Sequence, residues 1–408
     1  MRTSKRTFFS TPPAQVALLT ALTLGLARPA AAAVVVQCPG DTDGDAIIDT
    51  PDPDHPRARC MHLAAGDGYV RMADGLEVYT FGFSDVTGLS PDMVMHESMM
   101  AANFPAPTII LDEGDEFYLT LTNVGMAVRS DLNDPHTVHF HGFPQAAAVF
   151  DGLPEASISI NMMSSFTYYY SIVHPGTFIY HCHVEAVEHM QMGMLGQLYI
   201  RPAQNRLPDG TSLGGFVHHA GMTYAYNDGD GSTRYDVEFP LQLGSFDDFF
   251  HQQDETFQPP PFFALHDNYP MINGRGYPDS INPLPLDPPV ANGGKVSQPL
   301  TSLIRVTQGQ KALVRLSNLN ITRFYTVQTS GLPLLVVGKD AKLLRGPTGL
   351  NQYFTTYSLT TGGGETYDAI IDTAGVPKGT YFLYATNLNY LSNNSDDFGG
   401  MMTEIIVE

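Results

Sequence analysis

Residues 180–195 read Tyr-His-Cys-His-Val-Glu-Ala-Val-Glu-His-Met-Gln-Met-Gly-Met-Leu and concentrate metal-binding side chains in one short run. The run contains one thiol, three imidazoles and a closing thioether: Cys182, His181, His183, His189 and Met194. These are soft ligands that suit copper, and two His, one Cys and a long Met bond make an electron-transfer geometry. A single Cys excludes a Cys-rich zinc site. The run therefore predicts a copper centre that takes its second His from elsewhere in the chain.

A second His-rich run lies upstream. Residues 136–142 read His-Thr-Val-His-Phe-His-Gly and offer three further imidazoles: His136, His139 and His141. Successive side chains on a strand face opposite sides, so His181 and His183 share one face while Cys182 takes the other. One strand is therefore expected to serve two metal sites.

From about Val70 onward the sequence is typical of β-structure. Short alternating runs such as 117–122 and 166–171 are separated by Gly, Pro and Asp turns, and long helical periodicity is absent. This pattern predicts an all-β chain built from sandwich or barrel domains.

The β-texture also repeats. Residues 114–123 resemble residues 309–318, and 176–180 are echoed by 379–384. Two homologous β-domains are therefore predicted, with a boundary near Pro202–Pro208. We divide the chain into a signal peptide, an acidic segment, a copper-binding domain and a second domain without evident copper ligands: 1–33, 34–67, 68–203 and 204–408.

The first residues have the pattern of a secretion signal. Arg2, Lys5 and Arg6 precede the apolar stretch Val16–Ala27, and small residues follow at Ala30–Ala33. The apolar stretch is short for a membrane span, and no later segment is long enough. We therefore expect an exported protein, secreted or periplasmic, with no membrane insertion.

The segment after the signal carries two cysteines and several acids. Cys38 and Cys60 flank the acidic loop and can form a disulfide in an exported protein, which leaves Cys182 unpaired and available to a metal. Between them lie closely spaced carboxylates around a Gly turn: Asp41, Asp43, Asp45 and Asp49. Such carboxylates suit calcium, although the run lacks the closing Glu of an EF-hand. A solvated acidic linker pinned by the disulfide is the alternative.

The chain is strongly acidic, with a net charge of −21 over 408 residues. This charge disfavours nucleic acid and anionic membranes as partners. It favours cations, including cationic redox partners, although solubility alone would also explain it.

These motifs resemble a two-domain multicopper oxidase built from cupredoxin folds, with Greek-key β-sandwich domains, over residues 68–408. The resemblance implies that four residues bind a type 1 blue copper: His136, Cys182, His189 and Met194. It implies that the other imidazoles face type 2 and type 3 coppers: His139, His141, His181 and His183. Asp151, in the run Phe-Asp-Gly, matches an acid near the oxygen-reducing cluster of the family, with a turn aspartate as the alternative.

Two features depart from that family. Five residues, 184–188, separate the His-Cys-His run from the next type 1 His, where three are usual. The second domain has no His-x-His pair, and no His follows His266, so a homo-oligomer would lack half the ligands of a trinuclear cluster. A nitrite-reductase-like type 2 site needs fewer ligands: His141, His181 and a third near Tyr325, Thr326 or His139.

The leading expectation is an oxidoreductase that passes electrons from type 1 copper to copper at the His-x-His pairs, with dioxygen as acceptor. Cys182 and Asp151 are its candidate catalytic residues. A blue-copper carrier without oxidase activity and a nitrite-reductase-like enzyme are the alternatives. The expected partners are a small-molecule or metal-ion reductant or a redox protein, and the expected assembly is a homo-oligomer such as a trimer.

Overall fold

A computed structural model describes residues 38–256 and 259–408. The predicted signal peptide lies outside the described residues. Strands dominate the chain, as the alternating sequence predicts.

The strands of the first half form two four-stranded sheets. One sheet has the order β2-β1-β4-β6: β1 (Ala58–Arg71), β2 (Glu77–Asp85), β4 (Glu116–Gly125) and β6 (Ser164–Ser171). The other has the order β3-β8-β7-β5: β3 (Ala106–Asp112), β5 (His139–His141), β7 (Gly176–His181) and β8 (Leu195–Arg201). Apolar residues of both sheets form one buried cluster that includes Phe81, Phe140 and Cys182.

Two short hairpins follow in the chain: β9 (Ser212–Leu213) with β10 (Phe216–Val217), and β11 (Thr223–Tyr224) with β12 (Arg234–Tyr235). A seven-stranded sheet contains β13 (Val237–Phe246), β14 (Tyr269–Ile272), β16 (Lys311–Asn318), β18 (Leu334–Lys339), β19 (Lys342–Leu343), β20 (Phe354–Thr356) and β22 (Thr366–Asp372). A five-stranded sheet contains β15 (Ile304–Val306), β17 (Tyr325–Thr329), β21 (Ser358–Thr361), β23 (Gly379–Ala385) and β24 (Met402–Val407).

The predicted repeat is visible in the strand pairing. Strand β4 pairs with β1 in parallel and with β6 in antiparallel fashion, and its counterpart β16 pairs in the same way with β13 and β22. Likewise, β7 pairs with β8 as β23 pairs with β24. The all-β class with two cupredoxin-like halves is confirmed. The exact domain boundaries stay a prediction, and β1 begins at Ala58, within the segment 34–67.

Short helices connect the strands: α1 (Pro91–Glu97), α2 (Ala186–Gln191) and α3 (Asp248–Thr256). Cys38 and Cys60 form the predicted disulfide, which ties the acidic loop to β1. Across residues 38–256 and 259–408, no helix combines the length and apolar character that a membrane crossing requires.

Candidate metal centre

The pairing of β5 with β7 sets the geometry of the His-rich face. His139 lies opposite His181, and Phe140 lies opposite Tyr180. Because side chains alternate along a strand, the imidazoles of His139 and His141 share one face while Phe140 turns into the core and stacks on Tyr170 at 4.1 Å. The expected single strand through His181, Cys182 and His183 is shorter in the structure, because β7 ends at His181, but His181 and Cys182 still belong to different donor groups.

On the core side, three ligand atoms converge. The ligand atoms of His136, Cys182 and His189 all lie within 4.8 Å of one another. Cys182 Sγ lies 3.2 Å from His189 Nδ1 and 3.8 Å from His136 Nδ1, so both imidazoles present the same nitrogen to the sulfur. The backbone N–H of Thr137 donates to Sγ over 3.5 Å. These three residues are among the four that the resemblance assigns to a type 1 copper, and that assignment stays a prediction.

The electrostatics of this group suit a soft cation. All three side chains are fully buried, and burial raises the pKa of Cys182 to about 11 and lowers the pKa of His189 to about 3. Without a cation the group therefore holds a neutral thiol and neutral imidazoles at pH 7. A bound metal ion stabilises the thiolate and takes imidazole lone pairs, so the residues present fit copper.

The long interval before His189 forms helix α2. Glu185 starts this turn in a left-handed conformation with φ 45°, and the backbone N–H of His189 donates to its carbonyl. Met194 is fully buried, its N–H donates to the carbonyl of His189, and its carbonyl accepts from the N–H of Cys182. The helical turn thus accommodates the two extra residues. Backbone hydrogen bonds connect Met194 with both His189 and Cys182, the other two predicted ligands on this loop.

On the opposite face, His139, His141 and His181 bring ligand atoms within 4.8 Å of one another. Nδ1 of His139 lies 2.6 Å from the carbonyl of Asp151, and Nδ1 of His181 lies 2.8 Å from the carbonyl of Cys182. A carbonyl oxygen only accepts, so Nδ1 carries the proton in both rings and Nε2 offers its lone pair to a metal. Burial lowers the pKa of all three imidazoles, that of His181 to about 3.

Two further predicted residues lie beside this group. The ring of His183 is 5.1 Å from that of His139 and 5.4 Å from that of His181. The carboxylate of Asp151 lies 3.5 Å from His139 Nδ1, in addition to the carbonyl contact. Asp151 therefore orients His139 through its backbone carbonyl. A sequence motif does not predict this role.

The second half of the chain closes over His141. A Cβ added to Gly364 would lie 2.5 Å from His141 Nε2, and the φ of Gly364 is +88°. Asp340 joins Gly364 and His141 around a small cavity. Sequence patterns do not predict this contact, because neither Gly364 nor Asp340 belongs to a metal-binding motif.

Tyr325 and Thr326, the candidate positions for a third ligand in the second domain, contact other residues of that domain. Tyr325 is fully buried and packs edge-on against Tyr390 with ring centroids 5.0 Å apart. Thr326 shares a hydroxyl hydrogen bond with Thr360. Both residues are held within their own sheet, where they pair with the side chains of neighbouring segments.

The acidic loop brings three of its four predicted carboxylates together. Ligand oxygens of Asp41, Asp43 and Asp49 lie within 4.8 Å of one another, whereas Asp45 accepts from the N–H of Ile47. Desolvation, with a further contribution from the neighbouring carboxylates, raises the pKa of Asp43. Calcium binding at this loop stays a prediction.

Comparison with known proteins agrees with this geometry. Two family models, each described as multicopper oxidase, match residues 86–205 and 245–408. The chain belongs to the multicopper oxidase family. Copper, the cofactor expected from the ligand set, is the metal that this family binds.

Individual relatives either match only a small part of this chain or have low sequence identity to it. A laccase of Aspergillus fumigatus is 34% identical over 31% of this chain and 21% of its own length. An L-ascorbate oxidase of Cucurbita maxima is 24% identical over 71% of this chain and 47% of its own length. A blue copper oxidase structure from Nitrosomonas europaea has a TM-score of 0.61 at 22% identity, with 85% of each chain covered, which shows a shared fold. The chain spans less than half the length of these curated relatives.

Proposed function

We propose that this protein is an exported copper-dependent oxidoreductase that takes electrons from a reductant at type 1 copper and passes them to a second copper site where dioxygen is reduced. His136, Cys182, His189 and Met194 would hold the first copper. His139, His141 and His181 would hold the second, with His183 beside them. The carrying observation is that two three-donor groups form at the end of β7, one containing its last residue, His181, and the other containing the next residue, Cys182.

The chain itself supplies the coupling between the two sites. Cys182 and His181 are joined by a peptide bond, and the carbonyl of Cys182 accepts from Nδ1 of His181. Bound copper would supply reversible one-electron chemistry at both ends of this link. Burial of the first group excludes water from the thiolate, while Asp151 holds the proton on Nδ1 of His139.

One observation favours a nitrite-reductase-like variant as the second candidate. Three imidazoles of one chain converge, which is enough for a single copper ion and too few for a trinuclear cluster. Dioxygen and nitrite are therefore competing acceptors at the same site, and a simple electron carrier would use neither.

Copper counting with spectroscopy tests the proposal. The copper-loaded wild type should bind at least two coppers per chain, show an intense blue band and consume dioxygen with a reductant. Cys182→Ser should lose the blue band, whereas His141→Ala should keep it and lose the second copper and dioxygen consumption. His219→Ala, at an exposed residue, serves as the control.

The outcomes separate the candidates. One copper per chain with a blue band and no dioxygen consumption would contradict the oxidase and support the carrier. Two coppers with nitrite consumption and no dioxygen consumption would favour the nitrite-reductase-like enzyme. A small phenol, a reduced metal ion and a reduced redox protein should each be offered as the reductant, because the relatives do not identify it.

The proposed assembly is a homo-oligomer such as a trimer. A neighbouring copy brings an identical second domain without His after His266, so assembly would cover the second site without completing a trinuclear cluster. Light scattering on the copper-loaded protein gives the mass directly, and a monomer at working concentration would contradict this part of the proposal.

A further inference from the structure

The candidate type 1 site is sealed from solvent. The side chains of His136, Cys182 and His189 have no exposed surface. A reductant in solution therefore cannot touch these ligands, and an electron must cross intervening protein to reach them. The residues that surround the site therefore determine the path of the electron.

The ring of His189 has a defined aromatic neighbour on β2. Among the described residues, it contacts two rings, those of Phe81 and His136. Phe81 meets His189 edge-on with centroids 5.7 Å apart, and His136 belongs to the metal site itself. Phe81 is therefore the ring that leads away from the metal.

The aromatic contacts continue from Phe81 toward the surface. Tyr79 meets Phe81 edge-on with centroids 5.6 Å apart, and Tyr69 on the neighbouring strand lies 5.6 Å from Tyr79. Exposure increases along the series, from fully buried Phe81 through Tyr79 at 2% to partly exposed Tyr69. The three rings form a continuous column, which we call the ring column.

Tyr79, the middle ring of the ring column, lines an open cavity of about 200 Å³. Tyr79 forms part of its wall, and α3 of the second domain forms another part through Asp248 and Glu255. Both tyrosine hydroxyls are fixed: that of Tyr79 donates to Asp67 over 2.9 Å, and that of Tyr69 donates to Glu255 over 2.6 Å. The rings next to the cavity are thus held in place by hydrogen bonds.

We infer that this cavity is the electron entry point and that Tyr79 and Phe81 of the ring column conduct electrons from it to the metal held by His189. The inference rests on the proposed type 1 site. In each transfer a one-electron donor in the cavity is oxidised by one electron and cupric copper is reduced by one. No bond of the chain forms or breaks, and the tyrosines keep their protons.

The charge around the cavity selects the donor. Glu77, Asp248 and Glu255 line it, and Arg71 lies 3.0 Å from Glu77. The remaining carboxylates leave the cavity negative, so the donor class is a small cation. An anionic donor of similar size should enter poorly.

Reduction kinetics test the ring column on the copper-loaded protein. Anaerobic stopped-flow mixing with hexaammineruthenium(II) should bleach the blue band, and Phe81→Leu should slow the bleaching roughly ten-fold. Phe83→Leu is the matched control, because Phe83 is an equally buried ring on the same strand that packs on Tyr180. The N–H of Phe81 donates to the carbonyl of Met192, and a side-chain substitution does not remove this backbone donor, so a difference in rate between the two variants reports the ring at position 81.

Substitutions at Tyr79 separate the ring from its hydroxyl. Tyr79→Phe should reduce at the wild-type rate, whereas Tyr79→Leu should be slow. Ferrocyanide, an anionic donor, should reduce the wild type slowly and respond little to these changes. Equal rates for Phe81→Leu and Phe83→Leu, at unchanged blue absorption and reduction potential, would overturn the inference. Loss of the blue band itself would instead contradict the proposed function.

A measurement on the metal-free protein tests the cavity alone. Hexaamminechromium(III), a redox-inert paramagnetic cation, should broaden the NMR signals of isotope-labelled Tyr69 and Tyr79 before those of Tyr381, a partly exposed tyrosine of the second domain. Glu255→Gln should weaken this broadening. Uniform broadening of all three tyrosines would contradict cation entry at this cavity.

Discussion

Burial sets the protonation state of individual metal-binding residues. Desolvation lowers the pKa of His136 and His189 and keeps both imidazoles neutral. It raises the pKa of Cys182, which therefore stays a thiol in the absence of a bound cation. His139 and His181 gain a fixed tautomer from backbone carbonyls. Each side chain is therefore prepared for metal by its immediate neighbours before any ion binds.

Gly364 decides whether His141 can keep its position. We predict that Gly364→Ala displaces His141, because the new Cβ would lie 2.5 Å from Nε2 and the φ of +88° strains any larger residue. The variant should lose the second copper and keep the blue band, as measured by copper analysis and absorption. Gly375→Ala is the control, with φ +76° and open space around the added Cβ. A full copper complement in Gly364→Ala would refute the prediction.

His62 makes stability depend on pH away from the metal sites. Burial lowers its pKa from 6.5 to about 4, and its Nε2 lies 2.7 Å from the hydroxyl of Thr122. Between pH 6.5 and pH 4, His62 is protonated in the unfolded chain and neutral in the folded chain. The free energy of unfolding should therefore decrease as the pH falls through this window, by up to about 3 kcal/mol from this group.

Denaturation at pH 7 and pH 4.5 measures this effect on wild type, His62→Gln and the exposed control His174→Gln. The pH dependence should become weaker in His62→Gln and stay unchanged in His174→Gln. Parallel curves for wild type and His62→Gln would show that His62 does not contribute.

Helix α3 contacts both β2 and the C-terminal end of α2. Nδ1 of His251 donates to the carbonyl of Tyr79, and its Nε2 lies 3.0 Å from the carbonyl of Gln191. Arg129 adds a hydrogen bond from its guanidinium to the carbonyl of Asp254. A short helix of the second domain thus fixes the strand that carries Phe81 and the loop that carries His189.

We predict that His251→Leu lowers the free energy of unfolding by about 2 kcal/mol, because it leaves a buried carbonyl without a donor. The same change should loosen the ligand loop, so that a chelator removes blue copper faster than from wild type. Gln252→Leu is the control on the exposed side of the helix. Denaturant titration and chelation rates give both values, and wild-type values for His251→Leu would disprove this role.

A buried ionic network around Arg315 joins the two domains. Arg315 has no exposed surface and donates to Glu238 over 2.9 Å and to Asp368 over 3.3 Å. It also donates to Thr177 of the first domain and lies 4.6 Å from the ring centroid of Tyr199. Thr177 and Tyr199 of the first domain therefore help to stabilise the charge of Arg315 in the second domain.

Arg315→Met should destabilise the protein by about 3–5 kcal/mol, because it leaves buried carboxylates without their cation. Unfolding of both domains should shift together if the network couples them. Lys311→Met on the same strand is the control, since the exposed pair of Lys311 with Asp372 at 3.6 Å should contribute less than about 1 kcal/mol. Calorimetry measures both variants, and equal melting shifts would contradict the prediction.

The β-class, the internal repeat and the ligand loop could be predicted because each depends on local patterns. Alternation placed His181 and Cys182 on opposite faces, and the repeated runs 114–123 and 309–318 became equivalent central strands. The sequence shows that extra residues precede His189, but it does not predict that they form α2. A six-residue helix held by packing has no periodic signal long enough to detect.

The order of residues along the chain specifies which atoms can bind metal: one thiol and a set of imidazoles at spacings that strand alternation converts into two faces. The surroundings of these atoms depend on how distant segments pack. Gly364 against His141, α3 over the ligand loop and the rings of Tyr79 and Phe81 beside His189 come from segments far apart in the chain. Such contacts arise from the packing of separate elements, and packing leaves no local periodicity in the sequence.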